Sequence, residues 1–218
     1  MPKTKKNKKY HVTFLLDKSN NWIEKYLINF NFNLKKKFFF KIKKNFHLIK
    51  NQDLVFVLSY TKILSEKFIL KNKLNIVVHS SKLPKDRGFS PVQNQVLRGK
   101  SIIDISLIKL VKKVDSGDIF LRDKYKINNT DLNDEIRKKQ AIATLKIIKK
   151  FLIKFPNINK KKQSGKASFN KRRNFWSNKL DINKSIRSQI NLLRIADNDR
   201  YPCFFEYKKK IFKIKIYK

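Results

Sequence analysis

The chain predicts an α/β fold: an open, mostly parallel, doubly wound sheet of the Rossmann-like kind, with a small mixed α/β appendage at its carboxyl end. Three observations lead there. Short apolar runs rich in Val, Ile and Phe recur along the first two thirds of the sequence and alternate with polar loops and amphipathic segments, the order expected of βαβ units. One run, Leu54-Val55-Phe56-Val57-Leu58, is apolar at every position, as a central parallel strand covered on both faces must be. Glycine and proline gather in one stretch: three of the four glycines (Gly88, Gly99, Gly117) and two of the five prolines (Pro84, Pro91) fall between residues 74 and 121, marking backbone that takes special conformations.

Residues 1–9 form a polar, basic tail, and 10–16 read as a strand by their β-branched and aromatic content. Residues 17–21 are a loop leading into a helix over 22–30, where Trp22, Tyr26, Leu27 and Phe30 share a face. The second strand is placed at 38–42 and the third at 54–58, followed by a short helix from Ser65 to residue 70. Residues 74–78 form the next strand, which delivers His79 at its carboxyl end. A helix over 90–98 has Pro91 in its first turn and Gly99 as its stop. Residues 102–110 alternate as a strand with one wetter face, and 118–121 form another short strand. The longest helix spans 132–155, with Ile136, Ala143, Leu145, Ile148 and Leu152 at helical spacing and Pro156 ending it. Beyond it, 160–166 read as a solvated linker, 169–173 as extended, 184–195 as a helix, and 204–207 with 211–217 as a hairpin. The divisions are therefore a tail (1–9), a main domain (10–156) and a small carboxyl-terminal subdomain (157–218).

Lys and Arg number 54 against 16 Asp and Glu, for a net charge of +38, which favours anionic ligands and salt-sensitive association. The lysine excess runs with an Asn and Ile excess along the whole chain, so it reads first as compositional drift and solvated faces. A nucleic-acid partner stays open as the rival reading, with runs 3–9, 35–44 and 160–173 as its contacts. The single cysteine, Cys203, excludes an internal disulfide and fits a reducing, cytoplasmic setting; no Cys/His cluster has metal spacing. The apolar run 12–16 is too short for a signal-peptide core, and no stretch approaches the ~18 apolar residues of a membrane span. A homodimer is a further expectation.

A titratable imidazole where a strand opens into a loop is a candidate proton carrier. His79 is followed by Ser80-Ser81-Lys82-Leu83-Pro84-Lys85-Asp86-Arg87-Gly88-Phe89-Ser90-Pro91 and then by Asp115-Ser116-Gly117-Asp118. This pattern resembles the 10-formyltetrahydrofolate-dependent formyltransferases: a strand ending in Asn-x-His, then Ser-Leu-Leu-Pro-x-x-Arg-Gly-x-x-Pro, then Asp-x-Gly-Asp. The resemblance implies that His79 removes a proton from an attacking amine and that Asp115 orients it. Ser81, Leu83, Pro84, Arg87 and Gly88 would line the substrate side. Ser59, Tyr60, Thr61, Lys62, Ile63 and Val114 would meet the pterin of 10-formyltetrahydrofolate, the formyl donor, with no metal involved. The tail resembles the short sugar-modifying members, which implies an amino-sugar nucleotide as acceptor, with methionyl-tRNA as the alternative. Where the family has asparagine two residues before the histidine, this chain has Val77. In the family that asparagine helps hold the formyl oxygen as it gains charge; Asn75, on the same strand face but ~13 Å from His79 by strand rise, is the catalytic candidate in its place. A catalytically silent relative that binds folate or a sugar nucleotide is the reading that this departure leaves open, beside the non-catalytic nucleic-acid-binding relative that the charge suggests.

Overall fold

A computed structural model describes residues 9–218; residues 1–8 of the expected basic tail lie outside the described part. The strands of the main sheet are β1 (Tyr10–Leu16), β2 (Phe38–Lys43), β3 (Leu54–Leu58), β4 (Leu74–His79), β6 (Ile102–Lys109) and β7 (Ile119–Lys126), in the order β2-β1-β3-β4-β6-β7. The first four run parallel, and β6 and β7 add an antiparallel edge. Outside this sheet, β5 (Arg87–Gly88) pairs with β8 (Phe169–Asn170), and β9 (Cys203–Tyr207) with β10 (Lys210–Ile214). The helices are α1 (Glu24–Ile28), α2 (Glu66–Leu70), α3 (Pro91–Leu97), α4 (Asn133–Lys154) and α5 (Ile186–Arg194).

Period-two alternation sorts the side chains of β1 and β3 to two cores. Val12, Phe14, Leu16, Leu54, Phe56 and Leu58 face a cluster shared with Leu27 of α1 and with Leu145, Ile148 and Phe151 of α4. Leu15, Val55 and Val57 face the opposite side, against Ile49, Leu64 and Phe68. All five residues of β3 are buried, as its uninterrupted apolar run requires. Phe14 stacks between Phe32 and Phe56, each with ring centroids 5.6 Å away, and burying each such ring contributes up to ~3 kcal/mol.

The structure adjusts several boundaries. The first helix keeps only Glu24–Ile28 of the expected 22–30. The short strand expected at 118–121 continues to Lys126, because its outer half is the charged edge of the sheet. Extended pairing in 169–173 is limited to Phe169–Asn170, and the helix expected over 184–195 is Ile186–Arg194, capped by Ser185.

The chain leaves β1 toward β2 on one side and returns to β3 on the other. The carboxyl-end loops of β1 and β3 therefore part at the position where ligands bind in such sheets. Asp17, just after β1, ties the two loops together by accepting hydrogen bonds from the Thr61 amide (2.9 Å) and hydroxyl. His79 ends the next strand along the same rim.

Candidate active site

β4 carries His79 to its last position, where the side chain is 6% exposed. Its Nε2 lies 2.7 Å from the carbonyl oxygen of Asp86. A carbonyl only accepts, so Nε2 carries the hydrogen, an assignment made from the network. The lone pair of the neutral ring is then at Nδ1, which lies 3.5 Å from Oδ2 of Asp115. A proton gained by His79 would thus sit between imidazole and carboxylate.

Both partners of His79 stand on left-handed backbone, with φ of 59° at Asp86 and 47° at Asp115. Asp86 is held there by a two-pronged contact from Arg98 (2.8 and 2.8 Å), by Asn170 (3.3 Å) and by its own amide donating to Ser168 Oγ (2.9 Å). Asp115 Oδ2 accepts the Gly88 amide at 2.8 Å; among the described residues its Oδ1 has no hydrogen-bond partner. Gly117 explains the glycine of this motif: a Cβ there would lie 1.8 Å from the Lys109 carbonyl oxygen, so no other residue fits without moving the backbone of β6.

Sequence reasoning missed two supporting residues. Gln163, in the expected linker, donates to the Asp115 and Gly117 carbonyls (both 2.8 Å) and accepts from Arg87 (2.6 Å). The linker is solvated but docked, for Lys161 exchanges backbone hydrogen bonds with Ile119 (2.8 and 2.9 Å). Asp86, the other omission, occupies a variable position of the motif and acts through its main chain. Neither leaves a composition or spacing signal.

The expected substrate-side residues lie mostly beneath the site. Ser81 is fully buried and donates to the Lys85 carbonyl (2.8 Å), while its own carbonyl accepts from Ser106 (2.7 Å). Leu83 packs with Ile108 and Ile119, and Pro84 is buried beside it. Arg87 is buried with its Nε unpartnered, and Gly88 has φ 88°, with Asn170 O 2.6 Å from where a Cβ would be. These residues shape the loop that presents His79. Val77 is half-buried in the sheet. Asn75 is not brought to His79, because its amide donates to the Ile69 carbonyl (2.8 Å) and its Oδ1 is buried without a partner.

The expected donor loop is preformed. Ser59 takes φ 52° and its carbonyl accepts from Asn20 (2.9 Å). Burial alone would raise the pKa of Asp17, but the hydrogen bonds from Thr61 and Ser19 outweigh it and hold the carboxyl at about 2, ionised beneath the loop. Tyr60 packs inward, Lys62 is exposed, and Ile63 and Val114 present apolar surface (80% and 42% exposed). Strained main chain beside apolar side chains suits a flat heteroaromatic ring that needs backbone hydrogen bonds.

The family model described as formyl transferase matches residues 3–152. A methionyl-tRNA formyltransferase from Sulfurihydrogenibium sp. is 29% identical over 189 residues, covering 81% of this chain, and the chain spans 60% of that relative's length. Among solved structures, a methionyl-tRNA formyltransferase from Clostridium thermocellum superposes with a TM-score of 0.81 at 24% identity, covering 95% of this chain and 92% of that one. A sugar N-formyltransferase from Shewanella sp. superposes with a TM-score of 0.72 at 17% identity, covering 95% and 97%. The model match extends over the parallel sheet, the strand that ends in His79 and the turn that carries Asp115, and on that ground the chain belongs to the formyl transferase family.

Proposed function

We propose that the chain transfers a formyl group from 10-formyltetrahydrofolate to the primary amine of a phosphate-bearing acceptor. The observation that carries this reading is the His79–Asp115 pair at the carboxyl end of β4, held between two left-handed turns beside a preformed loop. The donor supplies an activated formyl carbon; the bond from that carbon to the donor nitrogen breaks as the bond to the amine nitrogen forms. The amine must shed a proton and the departing nitrogen must gain one. Asp115 Oδ1 is free to accept the amine's proton, and Nδ1 of His79 can share it through Oδ2, so charge does not build up on either group. The Asp86 carbonyl keeps the ring from turning away. Holding amine and formyl carbon on one rim would supply much of the rate, up to ~7–11 kcal/mol of the barrier.

Methionyl-tRNA is the first candidate acceptor, supported by the curated relatives and by the +38 charge, which suits a polyanion. An amino-sugar nucleotide is the second, supported by the fold shared with the solved sugar N-formyltransferase. Incubating the chain with formyl-labelled donor and each acceptor in turn separates the two. Label in the aminoacyl ester of methionyl-tRNA, at physiological salt, is the expected result; label only in the sugar nucleotide would select the second reading, and label in neither would reject the proposal.

A further inference from the structure

A cavity of about 440 Å³ lies apart from His79. It opens between α1 and the start of α4, and its walls include Asn21, Trp22, Tyr26, Arg137 and Arg200. Arg137 is the unusual member. Its guanidinium lies over the Trp22 indole, 4.5 Å from the ring centroid, and Nη1 donates to Gln140 (3.1 Å). Among the described residues no carboxylate comes within ion-pair distance of it, and the sequence of residues 1–8 contains none. Burial pulls its pKa down to about 10, against the opposing pull of Tyr125 and Asp197. The indole Nε1 of Trp22 is buried with no partner. A half-buried guanidinium without an ion-pair partner, beside an orphaned buried donor, is a costly arrangement in a folded chain.

The acidic groups of the cavity offset it only in part. Glu24 is engaged by Lys44 (2.6 Å), and Oδ1 of Asp197 is occupied by the amides of Asp199 and Arg200 (3.2 and 3.0 Å). Asp134, in the first turn of α4, is exposed. Against them stand Lys25, Arg137 and Arg200.

The cavity is wired to the site. Gln140, which accepts from Arg137, donates to Ser80 Oγ (3.2 Å), and Ser80 follows His79. On the other side Arg200 donates to the Ser19 carbonyl (2.7 Å), and Asn20 donates to the carbonyl of Ser59 in the donor loop. A ligand seated here would lie beside both the loop of the formyl donor and the strand end bearing the proton carriers.

We infer that this cavity is the anchor for a nucleoside phosphate portion of the acceptor, with Arg137 and Arg200 taking the phosphate and Trp22 and Tyr26 flanking the base. The inference rests on the reading of an amine acceptor that bears phosphate. The volume suits a nucleotide, within the usual ~300–1,000 Å³ of ligand pockets. Guanidinium geometry favours phosphate oxygens, and a guanidinium already stacked on indole loses little freedom on binding.

The two tryptophans make the test direct. In 15N-labelled native chain, titration with adenosine 5′-monophosphate or uridine 5′-diphosphate should shift the Trp22 indole N–H signal saturably and leave that of Trp176, identified with Trp176→Phe, in place. Which nucleotide binds more tightly separates a tRNA end from a sugar nucleotide. Arg137→Gln and the exposed Arg200→Gln should each weaken binding and raise the acceptor KM about 10- to 100-fold, with the donor KM unchanged; Arg137→Lys should retain most of the affinity. No saturable Trp22 shift in the native chain, or full affinity in a folded Arg137→Gln, would overturn the assignment. Binding without formyl transfer to any amine would instead reject the reaction and leave the site standing.

Discussion

At the scale of single residues, Nδ1 of His79 lies 3.5 Å from Oδ2 of Asp115. His79 stands at a strand's end and Asp115 two residues before a glycine, positions that carry meaning in sequence. Gln163 and Asp86 act through an amide reaching back to residue 115 and through a main-chain carbonyl, which any polar residue in a linker or loop mimics. Asn75 shows the converse: an asparagine on the right strand is used to hold the Ile69 carbonyl, so the oxygen-stabilising donor that the resemblance implies is not supplied from that position. Asp17 gives a prediction at this scale. Its carboxyl is held at about 2, below the ordinary ~3.9, so the stability it contributes is fully present above pH ~4 and is lost as pH falls through 2. Urea unfolding between pH 6 and pH 2 should show the native chain losing about 2 kcal/mol more than Asp17→Asn over that window. Parallel pH profiles for the two chains would show that Asp17 does not hold the donor loop.

At the scale of elements, the alternation of apolar runs located the strands of the main sheet, because burial on one or both faces imposes its period directly. It stopped short at β7, whose outer half, Arg122-Asp123-Lys124-Tyr125-Lys126, reads as polar surface and is the charged rim that protects a sheet edge. It read 160–166 as a solvated linker but not as a docked one, since backbone pairing with Ile119 and the reach of Gln163 leave no trace in exposed lysines. Packing between elements makes Gly117 and Gly99 unequal. Gly117 sits against the Lys109 carbonyl, whereas Gly99, at φ 75°, has nothing within 4 Å of the place a Cβ would take. Thermal unfolding should therefore report a loss of about 3 kcal/mol or more for Gly117→Ala and only about 1–2 kcal/mol for Gly99→Ala. Equal losses would mean that β6 and the Asp115 turn are not in the contact described.

At the scale of the molecule, the carboxyl-terminal segment completes the site from outside the parallel sheet. It supplies Gln163 beneath Asp115, Ser168 and Asn170 against Asp86, and Arg200 on the wall of the cavity. The sheet's topology sets the carboxyl ends of β1, β3 and β4 on one rim, so Asp17, the loop after β3 and His79 come together without any one element spanning them. Among the described residues no helix is long and apolar enough to cross a membrane. On the proposed reading, Val77 stands where the resemblance implies an oxygen-stabilising donor, a group whose loss costs ~10²- to 10³-fold in rate, and proton transfer through His79 and Asp115 is the step to test. The most direct test is a single-turnover measurement of formyl transfer from labelled 10-formyltetrahydrofolate to the accepted amine by the native chain, His79→Asn and Asp115→Asn, each at saturating acceptor. Rates lowered about 10²- to 10⁴-fold in both variants, with donor binding retained, are the predicted result; transfer at the native rate in either variant would contradict it.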